Sequence, residues 1–374
     1  MAPKLRRLGL RLGSRRGLGT LHSRGVGYLG CLGHGDWAAR EALEELLDDS
    51  SRAVHLGGGK GPGVIGAGWA HSAAVTPSGQ VLLWGRTMDP PTTALMLSRA
   101  NYFSPRLARC VNALSVAFDV GRNIALVPSV QAIAKVRRVA CGAGTTIAID
   151  ADGRAHAAGC NDHGQCGVGT EHVKLAAVST FLPMKFPEAA AVVDVALGFR
   201  HGVAVDDTGT VWGWGKNDNG QVGAGVPDKA SDLRVDAPVE IALPPGGTKA
   251  VAVAAGLAHS AALTENGEVF VWGKMRGEKF RSVKNRKVFG EQVGPPVIYE
   301  DAFEPRELRF PPGTPPRVAV AASNFHTVAL DERGDVWAVG LERDSRAMVV
   351  EPRRLIGLHD DDDDDGGEGL KLAI

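Results

Sequence analysis

The sequence predicts an all-β protein folded as a β-propeller, and three observations lead to this prediction. Residues 192–225 read as a small antiparallel sheet, because apolar residues alternate along runs that a four-residue turn ending at Gly209 separates. The same pattern returns at four other places, so the chain is built of repeats. Glycine supplies 49 of the 374 residues, which is typical of a turn-rich β chain. Because short repeated sheets bury their apolar faces only by packing on one another, we expect a closed ring of blades.

The repeats share marks that align without a gap. The four further inner hairpins span residues 65–85, 139–159, 251–273 and 318–340. One site in each copy, termed the repeat position, is occupied in turn by His71, Thr145, His201, His259 and His326. A turn glycine follows eight residues later and a closing glycine six residues after that, as in Gly209 and Gly215. We expect the turn glycine to adopt a positive φ. Catalytic groups rarely recur around a ring, so each histidine is expected to bond to the neighbouring backbone and fix the turn beside its glycine.

The amino terminus is strongly basic. No acidic residue precedes Asp36, whereas seven basic residues do, namely Lys4, Arg6, Arg7, Arg11, Arg15, Arg16 and Arg24. This composition is typical of a mitochondrial transit peptide, so residues 1–17 are predicted to direct the chain to the mitochondrial matrix; a disordered basic arm is the alternative. Without residues 1–17 the chain has 36 basic and 42 acidic residues, which argues against general nucleic-acid binding. No apolar run approaches the roughly 18 residues of a membrane span.

A glycine cluster near the amino terminus has two interpretations. Residues 25–30 match the G-x-G-x-x-G fingerprint of dinucleotide-binding proteins, but the buried strand that should precede it is missing. Gly25, Gly30 and Gly33 instead keep the spacing of Gly215, Gly220 and Gly223 in the best repeat. Residues 18–33 are therefore predicted to be the outer end of a blade whose inner strands come from elsewhere. Such a strand can complete a sheet begun at the carboxyl terminus and so close the ring.

A cysteine-containing segment suggests a metal site. Cys160, His163 and Cys166 lie close together, but the segment superimposes on residues 216–222, where Lys216 and Val222 replace the two cysteines. A position that accepts lysine and valine does not need a ligand, so a structural role is favoured and no cofactor is expected. The five cysteines are odd in number and sparse, which fits a reducing compartment better than a disulfide framework.

The chain beyond the clear hairpins is harder to assign. Residues 86–137 lose the repeat register, and whether they contain one degenerate blade stays open. The propeller is expected to end near Leu358, and residues 359–374, which carry six consecutive aspartates, are expected to form a disordered acidic tail.

The strongest candidate for a partner-binding surface is a basic interval between two hairpins, which should project from one face of the ring. Its residues are Lys274, Arg276, Lys279, Phe280, Arg281, Lys284, Arg286 and Lys287. An acidic protein or RNA surface would suit this charge, and the acidic tail could compete for it. A solvated loop without function is the alternative.

With the repeats in register, the sequence resembles the regulator of chromosome condensation family. The inner motifs that carry the resemblance are GWAHSAAV (68–75), GFRHGVAV (198–205), GLAHSAAL (256–263) and SNFHTVAL (323–330), and the outer ones are NDHGQCG (161–167) and NDNGQVG (217–223). The resemblance implies a seven-bladed propeller whose chain ends meet in one blade. Five inner hairpins and one outer fragment are visible here, so six to seven blades are expected.

The resemblance leaves function open, because the motifs specify the fold much more than an activity. The family includes a nuclear guanine-nucleotide exchange factor, a plant ultraviolet-B photoreceptor and organellar proteins. The photoreceptor places tryptophans two residues before the repeat position, where this chain has Trp69, Ala143, Phe199, Leu257 and Asn324. A tryptophan cluster is therefore not expected here, which argues against the photoreceptor function. The basic amino terminus, which resembles a transit peptide, argues against the nuclear exchange factor. The sequence thus favours a non-enzymatic mitochondrial scaffold or assembly factor for a respiratory or ribosomal complex. The alternative is a guanine-nucleotide exchange factor for a small or organellar GTPase, which needs no catalytic acid, base or nucleophile.

Overall fold

The computed structural model describes residues 21–25, 32–34, 40–47, 64–69, 71–86, 124–172, 177–225, 233–244, 249–274, 302–341 and 348–356. These residues form five four-stranded antiparallel sheets and one two-stranded sheet. The predicted transit peptide and acidic tail lie outside the described residues, as does all of the basic interval except Lys274. Within the described ranges the chain is almost entirely β, which confirms the predicted fold class.

The four-stranded sheets follow one another along the chain, and each is one blade. Blade 1 comprises β3 (Ile65–Ala67), β4 (His71–Val75), β5 (Val81–Arg86) and β6 (Ile124–Val130). Blade 2 comprises β7 (Val136–Cys141), β8 (Thr145–Asp150), β9 (Ala155–Cys160) and β10 (Ala177–Pro183). Blade 3 comprises β11 (Val192–Leu197), β12 (His201–Asp206), β13 (Val211–Lys216) and β14 (Arg234–Ile241). Blade 4 comprises β15 (Ala250–Ala255), β16 (His259–Thr264), β17 (Val269–Gly273) and β18 (Ala302–Glu307). Blade 5 comprises β19 (Arg317–Ala322), β20 (His326–Asp331), β21 (Val336–Leu341) and β22 (Met348–Ile356).

The hairpins have the register that the sequence predicts. In every blade the repeat position pairs with the closing glycine across the second and third strands, as His201 does with Gly215. The turn glycines all have a positive φ, between 76° and 90°. The closing glycines also have a positive φ, between 84° and 133°. The turns are thus confirmed as glycine-dependent.

The interval 86–137 does not add a blade within the described residues. Its strand β6 is the fourth strand of blade 1, and β7 begins blade 2. Residues 87–123, between β5 and β6, lie outside the described ranges.

Neighbouring blades share apolar cores. One cluster joins blades 2 and 3 around Trp214, and another joins blades 3 and 4 around Trp272. Both indoles are fully buried. Because each aromatic side chain buries about 150–250 Å², these contacts between stacked sheets supply much of the apolar burial that no single sheet can provide.

The amino-terminal hairpin packs on blade 1 as a neighbouring blade would. Strands β1 (His22–Gly25) and β2 (Arg40–Glu45) pair with each other, and Leu21 and Leu46 pack against Trp84. A Cβ added at Gly33 would lie 2.8 Å from Trp84 Cδ1, and one added at Gly223 would lie 2.9 Å from Trp272 Cδ1. This shared geometry supports the outer-blade interpretation, whereas residues 26–30 of the dinucleotide fingerprint lie outside the described ranges.

Candidate binding face

Three of the histidines at the repeat position link their own blade to the next one. His71 Nε2 lies 3.0 Å from Thr146 Oγ1, His201 Nε2 lies 3.0 Å from Ser260 Oγ, and His259 Nε2 lies 3.1 Å from Thr327 Oγ1. Each partner immediately follows the repeat position of the next blade. The expectation that the imidazoles fix their own turns is therefore wrong, because they bond across blade interfaces.

The partners of His201 fix its tautomer. Ser260 Oγ donates its proton to the carbonyl oxygen of Gln221 at 2.8 Å, so it accepts from the imidazole. The carbonyl of His259, 3.3 Å from the same nitrogen, can only accept. His201 Nε2 must then carry the hydrogen.

Burial keeps these imidazoles neutral. It lowers the pKa of His71 to about 4, that of His201 to about 3 and that of His259 to about 4. At neutral pH they hold no charge, and they serve as structural hydrogen-bonding groups.

Blade 2 lacks the histidine at the repeat position, and blade 3 lacks the hydroxyl residue that would accept its hydrogen bond. Thr145 replaces the histidine and donates its hydroxyl to Cys160 O, 2.8 Å away in its own blade. The residue that would receive the missing bond is Gly202, which has no hydroxyl. A Cβ at Gly202 would overlap the buried indole of Trp214. The blade 2–blade 3 interface is thus built differently from the others.

The edge of the ring at which the repeat positions lie is here called the histidine face. At this edge the backbones of consecutive blades approach one another closely. The residue three before the repeat position is glycine in blades 1 to 4, at Gly68, Gly142, Gly198 and Gly256. A Cβ at each of them would overlap the carbonyl oxygen of the equivalent residue in the next blade. Only glycine lets the backbones approach this closely around the axis.

An aromatic pair lies at the axis on the histidine face. The ring centroids of Trp69 in blade 1 and Phe199 in blade 3 are 4.7 Å apart, with 53° between their planes. They border a recess of about 200 Å³ lined by residues from all five blades, including Leu257 and Asn324. The four positions just named are those two residues before the repeat position. The sequence allows these positions to be compared with the photoreceptor pattern but does not show that they gather around one recess, since only the arrangement of the blades around one axis brings them together.

A charged cluster adjoins this pair. The Arg200 guanidinium lies 5.4 Å from the Phe199 ring centroid and 3.0 Å from His163 Nε2, and its Nη2 is 3.8 Å from Asp162 Oδ2. Burial alone would raise the pKa of Asp162, but hydrogen bonds from His163, Gln165 and Cys160 outweigh it and lower that pKa. Asp162 is thus an ionised acceptor that holds Arg200 beside the aromatic pair.

The two outer motifs lock blade 2 to blade 3 and blade 3 to blade 4. Trp214 Nε1 donates to Gln165 O at 2.9 Å, and Trp272 Nε1 donates to Gln221 O at 3.0 Å. The Asn161 and Asn217 side chains cap these loops by accepting from the backbone N–H groups of Cys166 and Val222, each at 3.1 Å.

Cys160 and Cys166, the two cysteines of the predicted metal segment, are held inside the protein. The Cys160 thiol donates to Asp162 Oδ1 at 3.2 Å, and burial raises its pKa to about 12. Burial likewise raises the pKa of Cys166. Over the ranges that the structure describes, no three side chains are grouped so as to hold a metal ion.

The basic interval begins on the histidine face, and the chain returns to blade 4 at the same edge. Lys274, its first residue, donates its backbone N–H to Ala258 O at 2.7 Å, and Gly273 just before it pairs with Ala302 at the start of β18. The other predicted binding residues lie outside the described ranges: Arg276, Lys279, Phe280, Arg281, Lys284, Arg286 and Lys287. No helix in the described part of the chain is long and apolar enough to cross a membrane.

Comparison with known proteins agrees with the repeat register. The family described as Regulator of chromosome condensation (RCC1) repeat matches residues 152–205 and 208–263, and a second model of the same description matches 136–165 and 192–221. The chain is 28% identical over 297 residues to the mitochondrial RCC1 domain-containing protein RUG3 of Arabidopsis thaliana. This match covers 78% of the chain but only 55% of RUG3, so the chain spans about half the length of that relative.

Solved structures give the same fold. Human WBSCR16 superimposes with a TM-score of 0.62 at 16% identity, covering 89% of this chain and 78% of WBSCR16. Yeast RCC1 (Prp20), in a complex with Kap60, superimposes with a TM-score of 0.59 at 19% identity, covering 91% and 71% of the two chains. At these identities the likeness concerns the fold alone. The matched repeats show that residues 136–263 contain RCC1 repeats, and the stacked four-stranded sheets are similar to the fold of these solved propellers.

Proposed function

We propose that this protein is a mitochondrial propeller that binds other proteins on its histidine face, as a scaffold or assembly factor for a respiratory or ribosomal complex. The observation that carries the proposal is the convergence on that face of Trp69, Phe199 and Arg200 with Lys274, the first residue of the basic interval. Aromatic and arginine side chains are enriched where proteins bind one another. The cross-blade hydrogen bonds make the ring a rigid support for them.

The mitochondrial part of the proposal has two supports. One is the similarity to RUG3, a protein named as mitochondrial. The other is the basic amino terminus, with seven basic residues and no acidic one before Asp36. A reporter fused to residues 1–24 should enter mitochondria, and changing Arg7, Arg11 and Arg15 to glutamate should abolish its import. Retention of the unmodified fusion in the cytosol would contradict the localisation.

Partner capture tests the binding function. Purified protein should retain a defined set of proteins from a mitochondrial extract, identified by mass spectrometry. Reversing Lys279, Arg281, Lys284 and Arg286 to glutamate should reduce this capture without lowering the melting temperature, since an insertion between hairpins carries few core contacts. Arg154→Glu, at the opposite edge of the ring beside the turn glycine of blade 2, is the control and should capture normally. Equal capture by both variants would remove the basic interval from the binding surface.

Nucleotide exchange is the competing function. An exchange factor would accelerate nucleotide release from a candidate organellar GTPase, whereas a scaffold would bind its partner without changing that rate. Timing the release of a fluorescent nucleotide, with and without the propeller, separates the two. An RNA partner would be recognised by loss of capture after ribonuclease treatment of the extract.

A further inference from the structure

Arg200 carries a side chain that the repeat itself does not require. It immediately precedes the repeat position of blade 3, where blades 2 and 4 have Gly144 and Ala258. The backbone at this site has a repeated role, because Arg200 O accepts the Lys216 N–H at 2.8 Å. The carbonyl oxygens of Gly144 and Ala258 accept the equivalent N–H groups at 2.8 and 2.7 Å. Glycine and alanine fill this role equally well, so the guanidinium of Arg200 is available for another purpose.

The Arg200 guanidinium leaves most of its hydrogen-bonding capacity unused among the described residues. A guanidinium has five N–H donors. Nη1 makes one hydrogen bond, to His163 Nε2 at 3.0 Å. Nη2 lies 3.8 Å from Asp162 Oδ2, which is too far for a hydrogen bond, and in the same ranges Nε is buried without a partner. A charged group with so many unused donors favours an anionic ligand.

The nearby Asp162 carboxylate does not supply the missing acceptor. Its Oδ1 atom accepts from the Cys160 thiol at 3.2 Å and from Gln165 Nε2 at 2.7 Å. The same oxygen lies 3.0 Å from His163 Nδ1. These contacts hold Asp162 in the outer motif of blade 2, where it offsets part of the Arg200 charge without accepting a hydrogen bond from it.

His163 and Phe199 hold the guanidinium in one position. Since a guanidinium only donates, His163 Nε2 must accept, and the imidazole hydrogen lies on Nδ1, next to Asp162. The Phe199 ring centroid lies 5.4 Å from Arg200 Cζ. The Arg200 side chain is only 15% exposed. Because this donor is already ordered, a ligand that binds it avoids much of the entropic cost of fixing a flexible side chain.

We propose that Arg200 binds a carboxylate of the partner protein, from an aspartate or glutamate side chain that lies beside the pair of Trp69 and Phe199. This inference rests on the proposed function and names the chemical group that the histidine face recognises. Nη2 supplies two N–H groups to the carboxylate, through the charge-assisted hydrogen bonds that arginine forms with such groups. The adjoining aromatic rings pack against the apolar stem of the acidic side chain.

An acidic peptide tests this assignment without knowledge of the partner. A fluorescent hexaglutamate peptide should bind the full-length protein at low salt. Arg200→Gln should weaken this binding by about 10-fold, the loss expected for one charge-assisted hydrogen bond. Arg154→Gln, which removes the same charge at the opposite edge of the ring, is the matched control and should bind as the wild type does. Equal losses in the two variants, or no binding by the wild type, would overturn the proposal.

The folding of the variants is checked by their melting temperatures. Arg200→Gln should melt as the wild type does, because glycine and alanine occupy the same site in other blades. Arg200→Lys is a second variant that keeps the charge. It should also weaken binding, since lysine has one nitrogen where arginine has separate nitrogens for His163 and the ligand. Peptide binding by Arg200→Lys that equals the wild type would overturn the role of the guanidinium.

The captured mitochondrial partner gives the second measurement. Its retention should fall by about 10-fold in Arg200→Gln and stay unchanged in Arg154→Gln. Phosphatase treatment of the extract should not alter retention, and a loss after this treatment would overturn the carboxylate assignment in favour of a phosphate. Full retention by Arg200→Gln would overturn the inference and leave the scaffold function intact. A wild type that captures no partner would instead contradict the proposed function, and the peptide measurement would still decide the role of Arg200.

Discussion

The buried histidines predict how the stability of the protein depends on pH. Their pKa values in the folded protein, about 3 to 4, lie below the ordinary value of 6.5. The unfolded chain therefore binds more protons than the folded one over this interval, and the stabilisation that is complete above about pH 6.5 is lost as the pH falls towards 4. Between these pH values, each histidine should make the free energy of unfolding rise by about 1.4 kcal/mol per pH unit.

Chemical unfolding at several pH values from 7.5 to 5 checks this prediction. His259→Asn should reduce the slope by the contribution of one histidine. Thr145→Val, at the same repeat position in blade 2, should lower the free energy of unfolding by an amount that does not change with pH, because the hydroxyl does not titrate. Identical slopes for wild type and His259→Asn would show that the imidazole is protonated in the folded protein.

The turn glycines predict a second effect at this scale. Gly209 has a φ of 86°, and an added Cβ would lie 2.9 Å from Lys249 Cα, at the start of blade 4. Gly313 has a similar φ of 82°, but nothing lies within 4 Å of its added Cβ. Gly313→Ala should cost about 1 kcal/mol from backbone strain, whereas Gly209→Ala should cost clearly more, on the order of 2 to 3 kcal/mol. Equal melting temperatures for the two variants would mean that the backbone near Lys249 can move away from the added Cβ at Gly209 without a loss of stability.

At the scale of the element, the blade 2–blade 3 interface shows how a lost link is replaced. It lacks a histidine–hydroxyl bond but contains an ion pair between the innermost strands, with Arg138 Nη1 2.8 Å from Asp194 Oδ1. The Asp194 carboxylate also accepts from the Val253 N–H of blade 4 at 3.2 Å. Burial raises the pKa of Asp194, and the Arg138 charge opposes that shift. One carboxylate thereby connects three consecutive blades.

Removal of Arg138 should be costly because it leaves the half-buried Asp194 carboxylate without its countercharge. Arg138→Met is expected to lose on the order of 3 kcal/mol of unfolding free energy, and the double variant Arg138→Met with Asp194→Leu should recover part of it. The exposed pair of Arg154 and Asp152 is the comparison, and Arg154→Met should cost less than about 1 kcal/mol. A double variant as unstable as the sum of its parts would argue against the coupling.

The sequence predicts local features of the elements well and distant ones poorly. The hairpins, their register and their turns depend on residues at most about 14 positions apart, and all of them are confirmed. The partner of His201 is 59 residues away in the chain, so its bond to Ser260 could not be read from one repeat. Strand β6 was missed because residues 87–123 separate it from the hairpin that it joins, and no fixed spacing marks its start.

At the scale of the whole molecule, the ring brings to one place side chains that are far apart in the sequence. Trp69 and Phe199 are 130 residues apart and belong to blades that are not adjacent, yet their rings touch. Four of the five described blades contribute to the recess the residue two before the repeat position, and only some of those residues are large. This arrangement lets the repeated motif maintain the fold while single, unrepeated side chains remain available for the partner binding that we propose.

We expect Trp69 and Phe199 to lie at the centre of the proposed partner interface. Replacing Trp69 and Phe199 together by serine should weaken retention of the captured mitochondrial partner by at least about 30-fold, the loss expected when aromatic residues central to an interface are removed. The matched control is Val130→Ser, which removes an exposed apolar side chain from an outer strand of blade 1. Both variants should keep the far-ultraviolet circular dichroism of the wild type, because neither site belongs to the apolar clusters between blades. If the double serine variant retains its partner as strongly as Val130→Ser does, the aromatic pair holds blades 1 and 3 together across the axis, and a partner must bind the basic interval or the opposite edge of the ring.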